Sequence, residues 1–74
     1  MDMRQLVGRN VQTFRQKNHL TQEQLAEISG FSQQYISGLE KGRRNPTIVT
    51  IYELAQAVGV SHMELVRPGL RNGR

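Results

Sequence analysis

The stretch LTQEQLAEISGFSQQYISGLEKGRRNPT, residues 20–47, contains two helix starts written in the same local grammar. Thr21 stands three positions ahead of Gln24, the spacing at which a hydroxyl and an amide cap each other's backbone N–H, and Leu20 and Leu25 flank them as a hydrophobic staple. Gly30 suits the left-handed residue that ends a helix. Ser32 caps a second start, with Phe31 and Ile36 in the staple places, and Gly42 ends it. These positions predict two short helices separated by a tight turn.

The second helix of this pair has two unlike faces. At about 100° per residue, Gln33, Gln34, Ser37, Gly38 and Lys41 fall within an arc of about 140°, with Ile36 and Leu39 opposite. A solvated helix usually carries mixed charges that pair along its surface, yet this outer face holds no acid. Gly38 costs about 0.5–1 kcal/mol relative to alanine and brings no contact of its own, but it permits close approach by a bulky surface. Alone, two adjacent glutamines are ordinary exposed polar residues. Here they lie at the first positions of the second of two tightly joined helices, the end that enters the major groove in a helix-turn-helix, where glutamine can bind adenine N6 and N7. Lys41, Arg43 and Arg44 follow without an intervening acid. By itself this is a solvated basic loop; directly after a recognition helix it suits phosphate.

Outward from this pair, Leu6, Val7, Val11 and Phe14 recur at helical spacing among Arg4, Arg9 and Arg15, predicting an amphipathic first helix that ends near Asn18. Asn45, Pro46 and Thr47 start a fourth helix, with Ile48, Ile51, Leu54, Ala55 and Val58 on one face until Gly59. Ser61 and Glu64 match a further capping box with Val60 and Leu65 as its staple, and Pro68 limits the last helix to about two turns. The expectation is five helices, no strand, one domain over residues 1–67 and a flexible basic tail over 68–74. The expected core is Val7, Val11, Phe14, Leu25, Ala26, Ile28, Phe31, Ile36, Leu39, Ile51, Leu54, Ala55 and Val58.

With 74 residues the chain is near the lower limit for a fold held by one hydrophobic core. The lack of cysteine excludes disulfides, Cys-type zinc sites and Cys nucleophiles. Ten Lys and Arg against six Asp and Glu give a net charge of +4, favouring a polyanionic partner. The amino end lacks the apolar run of a secretory signal and no stretch approaches membrane-spanning length, so a soluble cytoplasmic protein without a membrane partner is expected. His19 and His62 stand apart from other ligand types and read as surface or capping residues, and no nucleophile–base pair or phosphate-binding glycine loop is present. No metal, cofactor or enzymatic activity is expected.

The residues above also carry a resemblance. Thr21-Gln22, Leu25-Ala26, Gly30, Ile36, Leu39-Glu40 and the basic loop ending in Pro46 together resemble the helix-turn-helix of the Cro/C1-type (XRE) family of bacterial and phage regulators, over residues 6 to 66. The small size and single domain are also similar to controller proteins of restriction-modification systems and to related phage or mobile-element regulators. The resemblance implies an all-α, five-helix, lambda-repressor-like domain that binds double-stranded DNA. It implies base readout by Gln33, Gln34 and Ser37. Gln22 would contact the DNA backbone and buttress the first recognition residue, and Arg15 and Glu40 would form a structural ion pair; a free Arg15 would instead touch phosphate. The position of Gly38 often holds a base-contacting side chain in the family, so either fewer bases are read there or a neighbour reaches across. Lys41, Arg43, Arg44 and Asn45, with the helix starts at Gln22 and Thr47, are the expected phosphate contacts.

One helix-turn-helix reads only a few base pairs, which points to a homodimer on a pseudo-palindromic operator. The family often pairs through its last helices, which nominates Tyr52, Val60, Met63 and Val66. The expected function is a sequence-specific transcriptional regulator. The rival is an antitoxin or adaptor that uses the same fold to bind another protein, whose identity the sequence does not disclose.

Overall fold

The computed structural model describes residues 2–68, which form five helices and no strand: α1 (Met3–Lys17), α2 (Gln22–Ser29), α3 (Gln33–Glu40), α4 (Ile48–Val58) and α5 (His62–Leu65). The expected basic tail lies, beyond Pro68, outside the described residues.

The helix ends follow local chemistry. Thr21 Oγ1 accepts from Gln24 N–H at 3.0 Å while Gln24 Oε1 accepts from Thr21 N–H at 2.8 Å, closing the capping box. Ser32 and Thr47 cap α3 and α4 by accepting from the N–H groups of Tyr35 and Thr50. Gly30, Gly42 and Gly59 have φ of 85°, 77° and 78°, the left-handed conformation expected of helix-ending residues. His19, at φ 59°, closes α1 in the same way. At α5 the expectation fails in part. Ser61 caps Met63 N–H, but the Glu64 carboxylate accepts from Arg67 Nη2 at 2.9 Å and closes no box. A guanidinium offers a charge-assisted bond, stronger than one from a neutral backbone N–H.

Val7, Val11, Leu25, Ala26, Ile36, Leu39, Leu54, Ala55, Val58 and Leu65 are buried together, with Phe14, Phe31, Tyr35 and Ile51 packed around them. Ile28 was expected in this core and is 57% exposed. The inward face of α2 is centred between Leu25 and Ala26, which leaves Ile28 about 110° away. It lies on the rim of a shallow groove shared with Glu53, Gln56 and Ala57 of α4. Ile48 shares the apolar stripe of α4 by spacing but, as the first residue of that helix, is 79% exposed.

Two asparagines of α1 hold the ends of the later helices. Asn10 is buried, and its Nδ2 donates to the carbonyls of Leu65 at 2.9 Å and Arg67 at 3.0 Å, satisfying groups left unpaired where α5 stops. Asn18, the C-cap of α1, donates from Nδ2 to the carbonyl of Val58 at 3.0 Å. The opposite side of α1 meets the end of α3 at Gly8, which is buried. A Cβ there would collide with the Leu39 carbonyl oxygen and lie 3.1 Å from Glu40 Cα, so only glycine admits this approach. The end of α3 is thereby fixed against α1, while its polar side faces outward.

Candidate nucleic-acid interface

Ile36 and Leu39 are fully buried, and with them locked inward α3 must present Gln33, Gln34, Ser37 and Gly38 on its other side. These four line an open concavity of about 530 Å³ together with Gln22, Lys41, Arg43 and Arg44. Gln33, Gln34, Lys41, Arg43 and Arg44 are exposed, and Ser37 is half-buried. Among the described residues the ion pairs are Arg4–Asp2, Arg15–Glu40 and Arg67–Glu64, so none of the three cations beside α3 is neutralised by an acid. All three expected base-reading residues and four of the six expected phosphate contacts thus share one surface; Asn45 and Thr47 are exposed but do not line it. Thr47 uses its Oγ1 to cap Thr50 N–H and also lies 3.1 Å from Thr50 Oγ1.

Behind this surface Glu40 collects three bonds. Its Oε2 accepts from Arg15 Nε at 2.7 Å, and its Oε1 accepts from Arg15 Nη2 and from Gln22 Nε2, each at 3.0 Å. Arg15 also donates from Nη1 to the Leu20 carbonyl at 2.8 Å. The side chains of Arg15 and Glu40 are 10% and 3% exposed, so Arg15 is spent on structure and unavailable to phosphate. Gln22 has committed one amide hydrogen to Glu40 and keeps the other, besides its backbone N–H at the start of α2. The network ties α1, the beginning of α2 and the end of α3 at one point.

At Gly38 sequence reasoning offered a neighbour that reaches across without naming it, and the side chain found there is that of Arg44. A Cβ at residue 38 would lie 3.2 Å from Arg44 Nε and 3.4 Å from its Cγ. The guanidinium carbon stands 5.5 Å from the centre of the Tyr35 ring, and that ring stacks on Phe31 at 5.2 Å. The room left by Gly38 is therefore occupied from within the chain rather than kept open for an outside surface. The sequence signal is a glycine on the polar face of a helix six residues before an arginine.

Of the residues nominated for pairing, Tyr52 and Met63 are 49% and 58% exposed, whereas Val60 and Val66 pack partly against the core. Ile48 and Val49 add further exposed apolar side chains beside Tyr52. The Tyr52 and His62 rings stand 6.1 Å apart, joining the exposed faces of α4 and α5.

Comparison with known proteins gives a consistent picture. The helix-turn-helix family profile matches residues 11–65. The chain is 65% identical over 68 residues to an uncharacterized HTH-type transcriptional regulator, y4dJ, of Sinorhizobium fredii, covering 92% of this chain and 88% of that one. It is 44% identical over 73 residues to the control protein C.SmaI of Serratia marcescens, covering 97% and 87%. The crystal structure of a hypothetical transcription factor from Neisseria superposes with a TM-score of 0.89 at 31% identity, over 96% of this chain and 82% of that one.

Proposed function

The chain belongs to the helix-turn-helix family of Cro/C1-type DNA-binding transcriptional regulators, and on that premise we propose that it acts as a homodimer on a pseudo-palindromic operator. In this reading the N-terminal end of α3 enters the major groove, where Gln33, Gln34 and Ser37 contact base edges. Lys41, Arg43, Asn45 and the first turns of α2 and α4 grip the flanking phosphates, Gln22 and Thr47 contributing through the N–H groups they head. The observation that carries the reading is the single concavity that gathers the outer face of α3 with three unneutralised cations.

Dimensions support the dimer. The longest axis of one copy is 31 Å, shorter than the roughly 34 Å between recognition helices set one DNA turn apart. In this reading a second copy supplies the second helix, and the exposed apolar side chains of Ile48, Val49, Tyr52 and Met63 offer the surface for it. Among the described residues no helix is long and apolar enough to cross a membrane, and an operator-binding protein works in the cytoplasm, where the DNA is.

A mobility-shift competition tests the proposal. Unlabelled cognate duplex should displace the labelled complex at far lower concentration than a scrambled duplex of equal length and composition. Equal competition by the two sequences would refute it.

A further inference from the structure

We infer that Asn10 is a positioning residue for the dimer: it holds α5 at a fixed angle on α1 and so sets the separation at which two recognition helices meet an operator; the inference rests on the homodimer proposed above. Asn10 is 2% exposed. Its Nδ2 donates to three carbonyls at the end of α5, those of Leu65 at 2.9 Å, Arg67 at 3.0 Å and Glu64 at 3.4 Å. Carbonyls only accept, so the three share the N–H side of one amide, and neither a carboxylate nor an apolar side chain can replace it there.

The angle matters because α5 is a single turn, His62–Leu65, too short to hold a direction of its own. Leu65, fully buried, pins that turn to the core at one point, and the Asn10 amide is a second point that stops it swivelling about the first. Met63, 58% exposed, precedes Leu65 by two residues and so lies about 160° around the helix, on the side turned away from the core. A swivel about Leu65 would carry Met63 with it. The recognition helix is tied to the same α1 by other residues: Gly8 admits the end of α3 and Arg15 grips Glu40. Gly8 and Arg15 fall within about 20° of each other on the α1 wheel, and Asn10 lies about 140–160° from both. One face of α1 thus carries the reading helix and the other carries the pairing helix, with Asn10 as the link on the pairing side.

The test compares wild type, Asn10→Leu and Asn10→Ser, with Leu25→Ala, a core truncation on α2, as the control for lost stability; circular dichroism verifies folding. Asn10→Ser keeps a donor and adds no volume, so it answers the question even where Asn10→Leu does not fold. Sedimentation velocity gives the dimer dissociation constant. Mobility shifts use a duplex enriched by the wild-type protein from random sequence, cut to a single half-site or rebuilt with the half-site separation changed one base pair at a time. The expected result is that the Asn10 variants bind the single half-site within about twofold of wild type, dimerise roughly tenfold more weakly and lose the sharp preference for one separation, whereas Leu25→Ala keeps that preference. If the Asn10 variants are less stable but keep the wild-type dissociation constant and preferred separation, Asn10 only caps α5 and the inference is overturned. It is overturned equally if the single half-site weakens as much as the paired one. Wild-type protein that is monomeric at every concentration and binds single and paired half-sites alike would overturn the dimer reading itself, and the inference with it.

Discussion

Arg15 and Glu40, 25 positions apart in the chain, are joined by two parallel hydrogen bonds of 2.7 and 3.0 Å inside the angle between α1 and α3. Both side chains are almost wholly buried, so the pair is worth less for its attraction than for what its loss would strand. Arg15→Ala would leave Glu40 with only the Gln22 amide, and should lower stability by about 3–5 kcal/mol. Replacing both members with hydrophobic residues, as in Arg15→Met with Glu40→Leu, should cost much less than the sum of the single changes. Urea denaturation of the four proteins of this cycle measures the coupling; additive costs would mean that the pair does not act as a unit.

Gly8 and Gly38 should respond to alanine with opposite signs. Both sit inside helices, where alanine gains about 0.5–1 kcal/mol in propensity. At Gly8 the added methyl meets the backbone of Leu39 and Glu40, which cannot yield without separating α1 from α3, so an overpacking cost of about 1–3 kcal/mol should win. At Gly38 the neighbour is the flexible Arg44 side chain, so the propensity gain should survive. Thermal melts are expected to fall for Gly8→Ala and rise for Gly38→Ala; the reverse order would contradict the packing described for both helices.

Gln33 and Arg43 line the same concavity yet should fail differently when truncated. Gln33→Ala should cost about 1–3 kcal/mol on the cognate duplex and almost nothing on a scrambled one. Arg43→Ala should weaken both and reduce the slope of log K against log salt by about one. Binding isotherms over a salt series separate the two outcomes. A Gln33→Ala protein that loses affinity evenly would show that this amide reads no base.

Met63, 58% exposed at the start of α5, is the residue whose change to glutamate should separate the copies. A charge placed in a desolvated apolar contact should cost roughly 2 kcal/mol, about a thirtyfold rise in the dimer dissociation constant. Sedimentation velocity across a concentration series checks this. Wild-type protein that stays monomeric at every concentration would remove the basis of the prediction.

What the sequence made legible was local. The Thr21–Gln24 box, the Ser32 cap and the helix-ending Gly30 and Gly59 depend on residues within a turn of one another, and all stand where expected; of the Asn45-Pro46-Thr47 start, it is Thr47 that caps α4. Contacts between distant segments were hidden. Asn10 finds its acceptors 55 and 57 positions away, and Gly8 is required because of a carbonyl 31 residues on, which no periodicity reveals. Ile28 misled because its type favours burial while its angle on α2 does not. The pairing of Arg15 with Glu40 was visible only through family resemblance. At Gly38 the sequence disclosed a gap, and the filler, Arg44, emerged from the way the chain turns back after α3.

Selection of bound duplexes from a random pool by the wild-type protein tests the central claim most directly, because it reports specificity, symmetry and spacing together. The account predicts an enriched motif with two inverted half-sites whose centres lie about one helical turn apart, near 10 base pairs. A pool that remains random after repeated rounds at moderate salt, or that yields a single unpaired half-site, would contradict it.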